Sequence, residues 1–249
     1  MSITSESDWR GLREVGEVVR LTLEALEQHT RPGITTGELD EIARRLFDEH
    51  GARSAPAITY GFPKTVLISV NDEIVHGIPG RRRLRRGDVV KLDVTAEKNG
   101  YVADAAKTVV LDGAEPRSRE LARCAEAAFE AALSVATAGN RVNMIGRAVE
   151  ETVTRAGFSI VPSLDGHGVG RTIHEPPAVP NYFNRRQKDV LTEGLVITIE
   201  PLIAAGDGAV YQDADGWTIR TIDGSVTAHH EHTLVITSGA PVLLTGRIN

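Results

Sequence analysis

The apolar residues near the start of the chain recur at the spacing of amphipathic helices. One set follows steps of three or four residues, which predicts a long helix with a single buried face: Leu12, Val15, Val19, Leu23 and Leu26. Residues 31–33 interrupt this pattern, and Thr35 with Glu38 forms a capping box that opens a second helix. Gly51 is suited to end that helix, because glycine readily adopts the left-handed C-cap conformation.

A second helix pair with the same plan follows later in the chain. Gly139 and Gly157 repeat Gly33 and Gly51 at the same interval of 106 positions. Each pair precedes strand-like segments, at residues 66–70, 89–95 and 101–111, then 196–200, 217–222 and 227–236. We therefore predict an α+β fold of two related halves. Because no linker-like stretch divides them, residues 1–249 are expected to form one domain, with a flexible tail over residues 1–8.

The segment 91–108 predicts a hairpin that brings two carboxylates together. Asn99 and Gly100 are typical of a type I′ turn, in which both residues need a positive φ. A loop at that position sets the register, and alternation then puts Asp93 and Asp104 diagonally on one face, roughly 7–8 Å apart at the backbone. Such carboxylates could hold two metal ions about 3.5–4 Å apart. The alternative is a pair of solvent-facing aspartates.

Histidines and further acids supply the other candidate ligands. His167 lies among glycines that allow close approach of the backbone. Glu200 ends an apolar strand, and Glu231 lies in a histidine-rich run whose alternative reading is an exposed polar strand end. A mixed histidine and carboxylate set suits manganese, iron, cobalt or zinc better than calcium. No HExxH or GxSxG motif occurs, which disfavours a mononuclear zinc protease and a serine hydrolase.

Charge and cysteine content limit the partners and the compartment. The net charge is -6, which argues against a protein that binds nucleic acid over its whole surface. One cysteine, Cys124, allows no intrachain disulfide, and neither a signal peptide nor a membrane-spanning run is recognisable, so the cytoplasm and no membrane contact are expected. The basic residues 81–86 predict either a solvated turn or a transient contact with ribosomal RNA.

Five ordered motifs resemble type I methionine aminopeptidases, with the resemblance running from about Trp9 to Thr245. They are His76-Gly77-Ile78-Pro79, Leu92-Asp93-Val94-Thr95 with Asp104 eleven residues after Asp93, Gly166-His167-Gly168-Val169-Gly170, Ile199-Glu200-Pro201 and Glu231-His232-Thr233. The resemblance implies the pita-bread fold, in which duplicated helix pairs surround a curved antiparallel sheet. It also implies removal of the initiator methionine from nascent chains whose second residue is small.

The resemblance further implies a dinuclear site for cobalt, manganese, iron or zinc. Asp93 would bind one ion, and His167 and Glu200 would bind the other. Asp104 and Glu231 would bridge both ions. The metals would lower the pKa of a water that attacks the methionyl carbonyl.

Other positions would act on the substrate. Glu200 would carry the proton to the leaving amine, and His76 and His174 would contact the substrate and stabilise the tetrahedral intermediate. Phe62 and Trp217 would line the methionine pocket, because thioether sulfur packs well against aromatic rings. The expected assembly is a monomer.

The sequence departs from the family pattern near the two bridging ligands and in the pocket. Ala105 and Ala106 replace two hydroxyl residues after Asp104, and His229 and His230 replace a glutamine and an aromatic residue before Glu231. Near the pocket, Pro56 and Thr59 replace a cysteine and a tyrosine. Weaker support of Asp104 is therefore expected, and His229 could join the metal ligands. The alternatives are a related peptidase that cleaves before proline, whose usual N-terminal domain this sequence lacks, and a non-catalytic binding protein.

Overall fold

Five helices occur within residues 1–246, the part of the chain that the computed structural model describes. They are α1 (Glu6–His29), α2 (Thr36–His50), α3 (Ala55–Tyr60), α4 (Pro116–Leu133) and α5 (Val142–Arg155). The capping box is present at α2, where the Glu38 amide donates to the Thr35 hydroxyl and the Thr35 amide donates to the Glu38 carboxylate. Both predicted helix pairs are thereby confirmed. None of these five helices is long and apolar enough to cross a bilayer.

Fifteen short strands complete the described elements. They are β1 (Arg53–Ser54), β2 (Leu67–Val70), β3 (Glu73–Val75), β4 (Val89–Lys98), β5 (Tyr101–Val110), β6 (Ser159–Ile160), β7 (Gly166–Gly168), β8 (Glu175–Val179), β9 (Val196–Ile199), β10 (Leu202–Ala204), β11 (Val210–Gln212), β12 (Ile219–Thr221), β13 (Thr227–His229), β14 (Glu231–Val235) and β15 (Val242–Leu243). The main sheet runs β1-β4-β5-β14-β9-β7-β8, with β2 beside β4 and β15 beside β14. Every pairing in it is antiparallel.

The β4–β5 hairpin has the predicted register. Asp93 pairs with Ala106, and Asp104 pairs with Thr95. Asn99 and Gly100 have φ values of 52° and 81°, as a type I′ turn requires. The turn therefore fixes the face on which the two aspartates lie.

Each half of the chain packs its helix pair against its own part of the main sheet. The first core joins α1 and α2 to β4, and its fully buried members include Leu12, Val19, Leu39 and Leu92. The second core joins α4 and α5 to β9 and β14, and includes Leu121, Phe129, Ile145 and Leu234. Burial of one such side chain contributes about 1.5–3 kcal/mol. The pairing of β5 with β14 joins the two halves, so a single continuous sheet carries residues from both.

The amino-terminal segment differs from the expected flexible tail over residues 1–8. The Val196 amide donates to the Met1 carbonyl at 2.9 Å, and the Ile3 amide donates to the Gly194 carbonyl at 2.8 Å. The Met1 ammonium forms an ion pair with Glu175, and α1 begins within this segment. The correction arises because the free backbone groups beside β9 accept an added extended segment. Residues 247–249, the end of the predicted domain, lie outside the described residues.

Candidate metal centre and active site

Five neighbouring strands of the main sheet each supply one of the predicted ligands. The sheet order β4-β5-β14-β9-β7 corresponds to Asp93, Asp104, Glu231, Glu200 and His167, with Glu200 directly after the end of β9. The first two ligands come from one half of the chain and the other three from the second half. The structure therefore brings all five predicted ligands together.

Threonine hydroxyls from adjacent strands hold Asp104. The Thr95 hydroxyl donates to Asp104 Oδ1 at 2.9 Å, and the Asp104 amide donates to the Thr233 hydroxyl at 2.8 Å. The support of Asp104 therefore comes from β4 and β14. Positions 105 and 106, where hydroxyl residues were expected from the family pattern, are alanine, so weaker support of Asp104 stays a prediction.

His167 and Glu200 are held by a common hydroxyl group. The His167 amide donates to Thr198 Oγ1 at 3.1 Å, and that hydroxyl donates to Glu200 Oε1 at 3.0 Å. His167 Nε2 lies 3.4 Å from Glu200 Oε1. The flanking glycine is needed for this close packing, since a Cβ at Gly168 would lie 2.3 Å from the Pro176 carbonyl oxygen.

The carboxylates of this cluster are buried together and repel one another. Burial raises the pKa of Asp104 to about 7. The pKa values of Asp93, Glu200 and Glu231 are raised well above their usual range, first by burial and then by the charge of Asp104. Such a cluster needs bound cations or shared protons at neutral pH.

Polar atoms without partners show that the cluster suits metal ions. Asp93 Oδ1, Glu231 Oε1 and both ring nitrogens of His229 are buried and lack any hydrogen-bond partner. Two groups of three residues each have all their donor atoms within 4.8 Å of one another. One triad is Asp104, His167 and Glu231, and the other is Glu200, His229 and Glu231. Glu231 belongs to both triads. The donor set therefore fits divalent transition metals.

Two further histidines line the same cavity. His76 has a φ of 61°, and a Cβ at the next residue, Gly77, would lie 2.3 Å from the Ile68 carbonyl oxygen. His174 packs edge-on against His167, with ring centroids 4.3 Å apart. Burial lowers the pKa of His76 to about 4 and also lowers the pKa of His174. Both imidazoles are therefore neutral at pH 7, with an N–H available for donation.

The predicted aromatic residues form an apolar pocket beside the carboxylates. Phe62 and Trp217 meet edge to face, with ring centroids 5.1 Å apart. The cavity of about 160 Å³ is continuous with the ligand cluster, and its apolar walls also include Leu67, Val75, Leu164, Ile173 and Leu202. Of the two departures in the pocket, Pro56 contributes to this wall.

Two polar residues of the cavity were not among the site residues predicted from the sequence. The Tyr60 hydroxyl hydrogen-bonds to His174 Nδ1 at 2.5 Å. Asp165 has a buried Oδ1 without a partner, and burial raises its pKa. Both residues lie next to motifs that contain predicted site residues, since Tyr60 precedes Gly61-Phe62 and Asp165 precedes Gly166-His167. That adjacency was the sequence signal for their place in the cavity.

The histidines around Glu231 alternate between the two faces of the sheet. His229 Nε2 lies 3.4 Å from Glu231 Oε2 and 3.8 Å from Glu200 Oε2. His230 and His232 point away from the cluster and pack on Phe129, with ring centroids 5.1 and 5.3 Å from it. His229 therefore lies on the same face of the sheet as Glu231, and its expected place among the metal ligands stays a prediction.

Some residues of the arginine-rich run 81–86 make contacts within the fold. Leu84 is buried in the first core, and Arg82 forms an ion pair with Glu73 at 2.7 Å. Arg83 donates to the Gly33 carbonyl. The remaining three arginines of the run are exposed: Arg81, Arg85 and Arg86.

Comparison with known proteins agrees with this arrangement. Residues 10–238 match metallopeptidase family M24. The chain belongs to this family. Membership implies the use of a divalent metal, in agreement with the donor triads.

Relatives match nearly the whole chain. It is 41% identical over 247 residues to "Methionine aminopeptidase 2" of Bacillus subtilis, covering 98% of this chain and 99% of the relative. It is 39% identical to a Staphylococcus epidermidis protein named methionine aminopeptidase, with 98% of each chain covered. A crystal structure of methionine aminopeptidase from Thermotoga maritima superposes with a TM-score of 0.96 at 33% identity, covering 99% and 100% of the two chains.

The fold extends to proteins of another specificity. Prolidase from Pyrococcus furiosus matches with a TM-score of 0.79 at 23% identity, covering 99% of this chain and 66% of that one. This more distant match shows the shared fold alone. The predicted pita-bread architecture is thereby confirmed.

Proposed function

We propose that the protein is a type I methionine aminopeptidase that removes the initiator methionine from nascent polypeptides. The observation that carries this proposal is the cluster of four carboxylates and a histidine, directly beside the pocket of Phe62 and Trp217. The relatives at 37–41% identity, which are named methionine aminopeptidases, support it. The finer assignment to type I rests on the sequence motifs, since the Bacillus subtilis relatives carry both numerals in their names.

The ligand cluster would hold two divalent ions of the manganese, iron, cobalt or zinc class. Asp93 would bind one ion, and His167 and Glu200 the other. Asp104 and Glu231 would serve both, and for Glu231 its membership of two donor triads supports this role. When bound, such metals polarise a carbonyl and lower the pKa of water.

The protein's own groups would move the proton and stabilise charge. Glu200 has a raised pKa and accepts a hydrogen bond from the Thr198 hydroxyl, so it can take a proton near neutral pH and deliver it to the leaving amine. Neutral His76 and His174 would donate N–H groups to the developing negative charge. With the Tyr60 hydroxyl at Nδ1, His174 keeps its Nε2–H for the substrate.

The aromatic pocket would select methionine. Phe62 and Trp217 present an edge-to-face pair that would pack against a thioether, a contact worth about 0.3–1.5 kcal/mol. Leu67 and Leu202 close the pocket with apolar surface. An unbranched apolar side chain of methionine length therefore suits it better than a charged one.

A peptide panel tests the proposed specificity. With added manganese, cobalt or iron, we expect release of methionine from Met-Ala-Ser and none from Met-Leu-Ser, because the family resemblance implies a small second residue. Mass spectrometry of the products gives the result, with an EDTA-treated sample as the control. Cleavage of Ala-Pro in preference to Met-Ala-Ser would instead identify a proline-specific peptidase. No cleavage of any peptide would favour a non-catalytic binding protein.

We further propose that the enzyme acts as a monomer in the cytoplasm, where nascent chains leave the ribosome. The exposed Arg81, Arg85 and Arg86 would provide a transient contact with ribosomal RNA. Replacing all three with glutamine should weaken ribosome co-sedimentation and leave peptide cleavage unchanged. Replacing Arg44 and Arg45, which are exposed on α2, provides a control of similar charge. Unchanged sedimentation of the triple variant would remove the idea.

A further inference from the structure

His229 has a buried imidazole with no part in the proposed metal binding, proton transfer or substrate binding. His229 is 1% exposed to solvent, and neither of its ring nitrogens, Nδ1 or Nε2, has a hydrogen-bond partner. A buried polar group without a partner costs about 1–3 kcal/mol. Because Asp93 Oδ1 and Glu231 Oε1 in the same cluster also lack partners, the imidazole points to a ligand that supplies the missing contacts.

The position of Nε2 identifies that ligand. Nε2 lies 3.4 Å from Glu231 Oε2 and 3.8 Å from Glu200 Oε2, and neither contact has hydrogen-bond geometry. Two donors about 2.1 Å from a tetrahedral ion lie about 3.4 Å apart. The separation of His167 Nε2 from Glu200 Oε1 is also 3.4 Å. His229 Nε2 and Glu231 Oε2 are thus separated by the distance expected for two donors to one metal ion, and Glu200 Oε2 lies 0.4 Å beyond that distance.

The donor type of His229 agrees with this position. Its ring is on the same side of the sheet as Glu231, whereas the next residue, His230, faces the opposite cavity with His232 and Phe129. Glu200, His229 and Glu231 form one of the two donor triads of the described residues.

We propose that His229 is a direct metal ligand, a sixth protein donor that binds the ion held by Glu200 and Glu231. The inference rests on the proposed metallopeptidase function. The ion then has two imidazoles among its ligands, His167 and His229. Imidazole favours zinc, copper, iron and nickel over manganese, so this centre prefers those metals more strongly than a centre with one histidine.

Copper binding provides a readout that does not depend on catalysis. Metal-free protein receives half an equivalent of Cu²⁺, the ion that binds most tightly to such donors. Electron paramagnetic resonance then counts the coupled nitrogens. Wild-type protein should show two, and His229→Gln should show one. His230→Gln is the matched control, because it removes an adjacent imidazole that faces the other side of the sheet, and it should keep two.

Zinc affinity gives a second measurement on the same proteins. In competition with a chromogenic chelator, His229→Gln should bind Zn²⁺ more than about 100-fold more weakly than wild type. Loss of a residue that merely supports a ligand costs 10–100-fold. His230→Gln should remain within about threefold of wild type, below the 10–100-fold loss of a supporting residue. Thermal unfolding of the metal-free variants shows whether each one is folded.

The outcomes separate this inference from the proposed function. One coupled nitrogen in wild type and in His229→Gln overturns the role of His229 while leaving the metal centre intact. Loss of the second nitrogen in His230→Gln overturns it as well, because the copper would then occupy the opposite cavity. If copper couples to no nitrogen in any of the proteins, both the metal centre and this inference are wrong.

Discussion

Replacing Asp104 with asparagine should lower kcat/KM for Met-Ala-Ser by at least about 10³-fold. Loss of one donor that stabilises a transition state costs about 10²–10³-fold. Asp104 would serve two metal ions, so its loss should cost more. Asparagine keeps the shape of the side chain and can still accept the hydrogen bond from Thr95, which restricts the change to charge. Release of methionine under saturating metal measures the effect.

The same substitution should stabilise the metal-free protein. The pKa of Asp104 rises from 3.8 to about 7 through burial, so the folded state disfavours its ionised form. At 1.36 kcal/mol per pKa unit, the penalty above pH 7 is on the order of 4 kcal/mol. Asparagine removes that penalty, and each kcal/mol should raise the melting temperature by about 2–4 °C.

Asp40→Asn is the matched control for Asp104→Asn. Asp40 is also a buried aspartate, but it accepts hydrogen bonds from the backbone amides of Thr65 and Val66, away from the metal centre. Burial also raises the pKa of Asp40, so Asp40→Asn removes a buried charge as well, but it should leave kcat/KM within about threefold of wild type, as for a residue outside the site. A fully active Asp104→Asn enzyme would contradict the proposed mechanism.

Added metal should stabilise the protein more at pH 8 than at pH 6.5. Burial raises the folded pKa of Asp104 from 3.8 to about 7, and the pKa values of three other carboxylates of the cluster are raised well above their usual range. A raised carboxylate pKa contributes stability that is present at low pH and is lost as pH rises through the folded value. The metal-free protein therefore loses stability over this window, whereas bound cations compensate the charges.

Other groups affect the absolute stability but largely cancel in the comparison. The buried histidines stay neutral in the folded protein over this window, and their unfolded forms, with the ordinary pKa of 6.5, lose protons equally with and without metal. Burial lowers the pKa of Lys91 to about 7, which adds stability as pH rises in both forms of the protein. The measured quantity is the difference in melting temperature between EDTA-treated and metal-loaded protein. The free energy of stabilisation by metal, which this temperature difference reports, should grow by about 1.4 kcal/mol per pH unit for each proton displaced. A difference that is constant or falls with pH would contradict the assigned carboxylate cluster.

Local sequence signals were sufficient to predict the helix pairs and the hairpin. The Thr35 capping box and the Asn99-Gly100 turn act within a few residues, so their structural effect is fixed by neighbouring side chains. The hairpin register then determined the relation of Asp93 to Asp104 without any long-range information.

Long-range packing could not be predicted in the same way. The order β5-β14-β9 brings Glu231 beside Asp104, but no local pattern specifies which distant strands pair. The docking of Met1 beside β9 depends on backbone groups left free by the rest of the fold. The contact of Tyr60 with His174 joins residues 114 positions apart. The missed features are therefore those set by tertiary contacts.

The most direct test of the central claim is methionine release from Met-Ala-Ser by metal-free protein, before and after addition of Co²⁺ or Mn²⁺. The account predicts no release after EDTA treatment, rapid release once metal is added to wild type, and no recovery in Asp104→Asn. Full activity that persists after complete removal of metal, or equal recovery in Asp104→Asn, would contradict it.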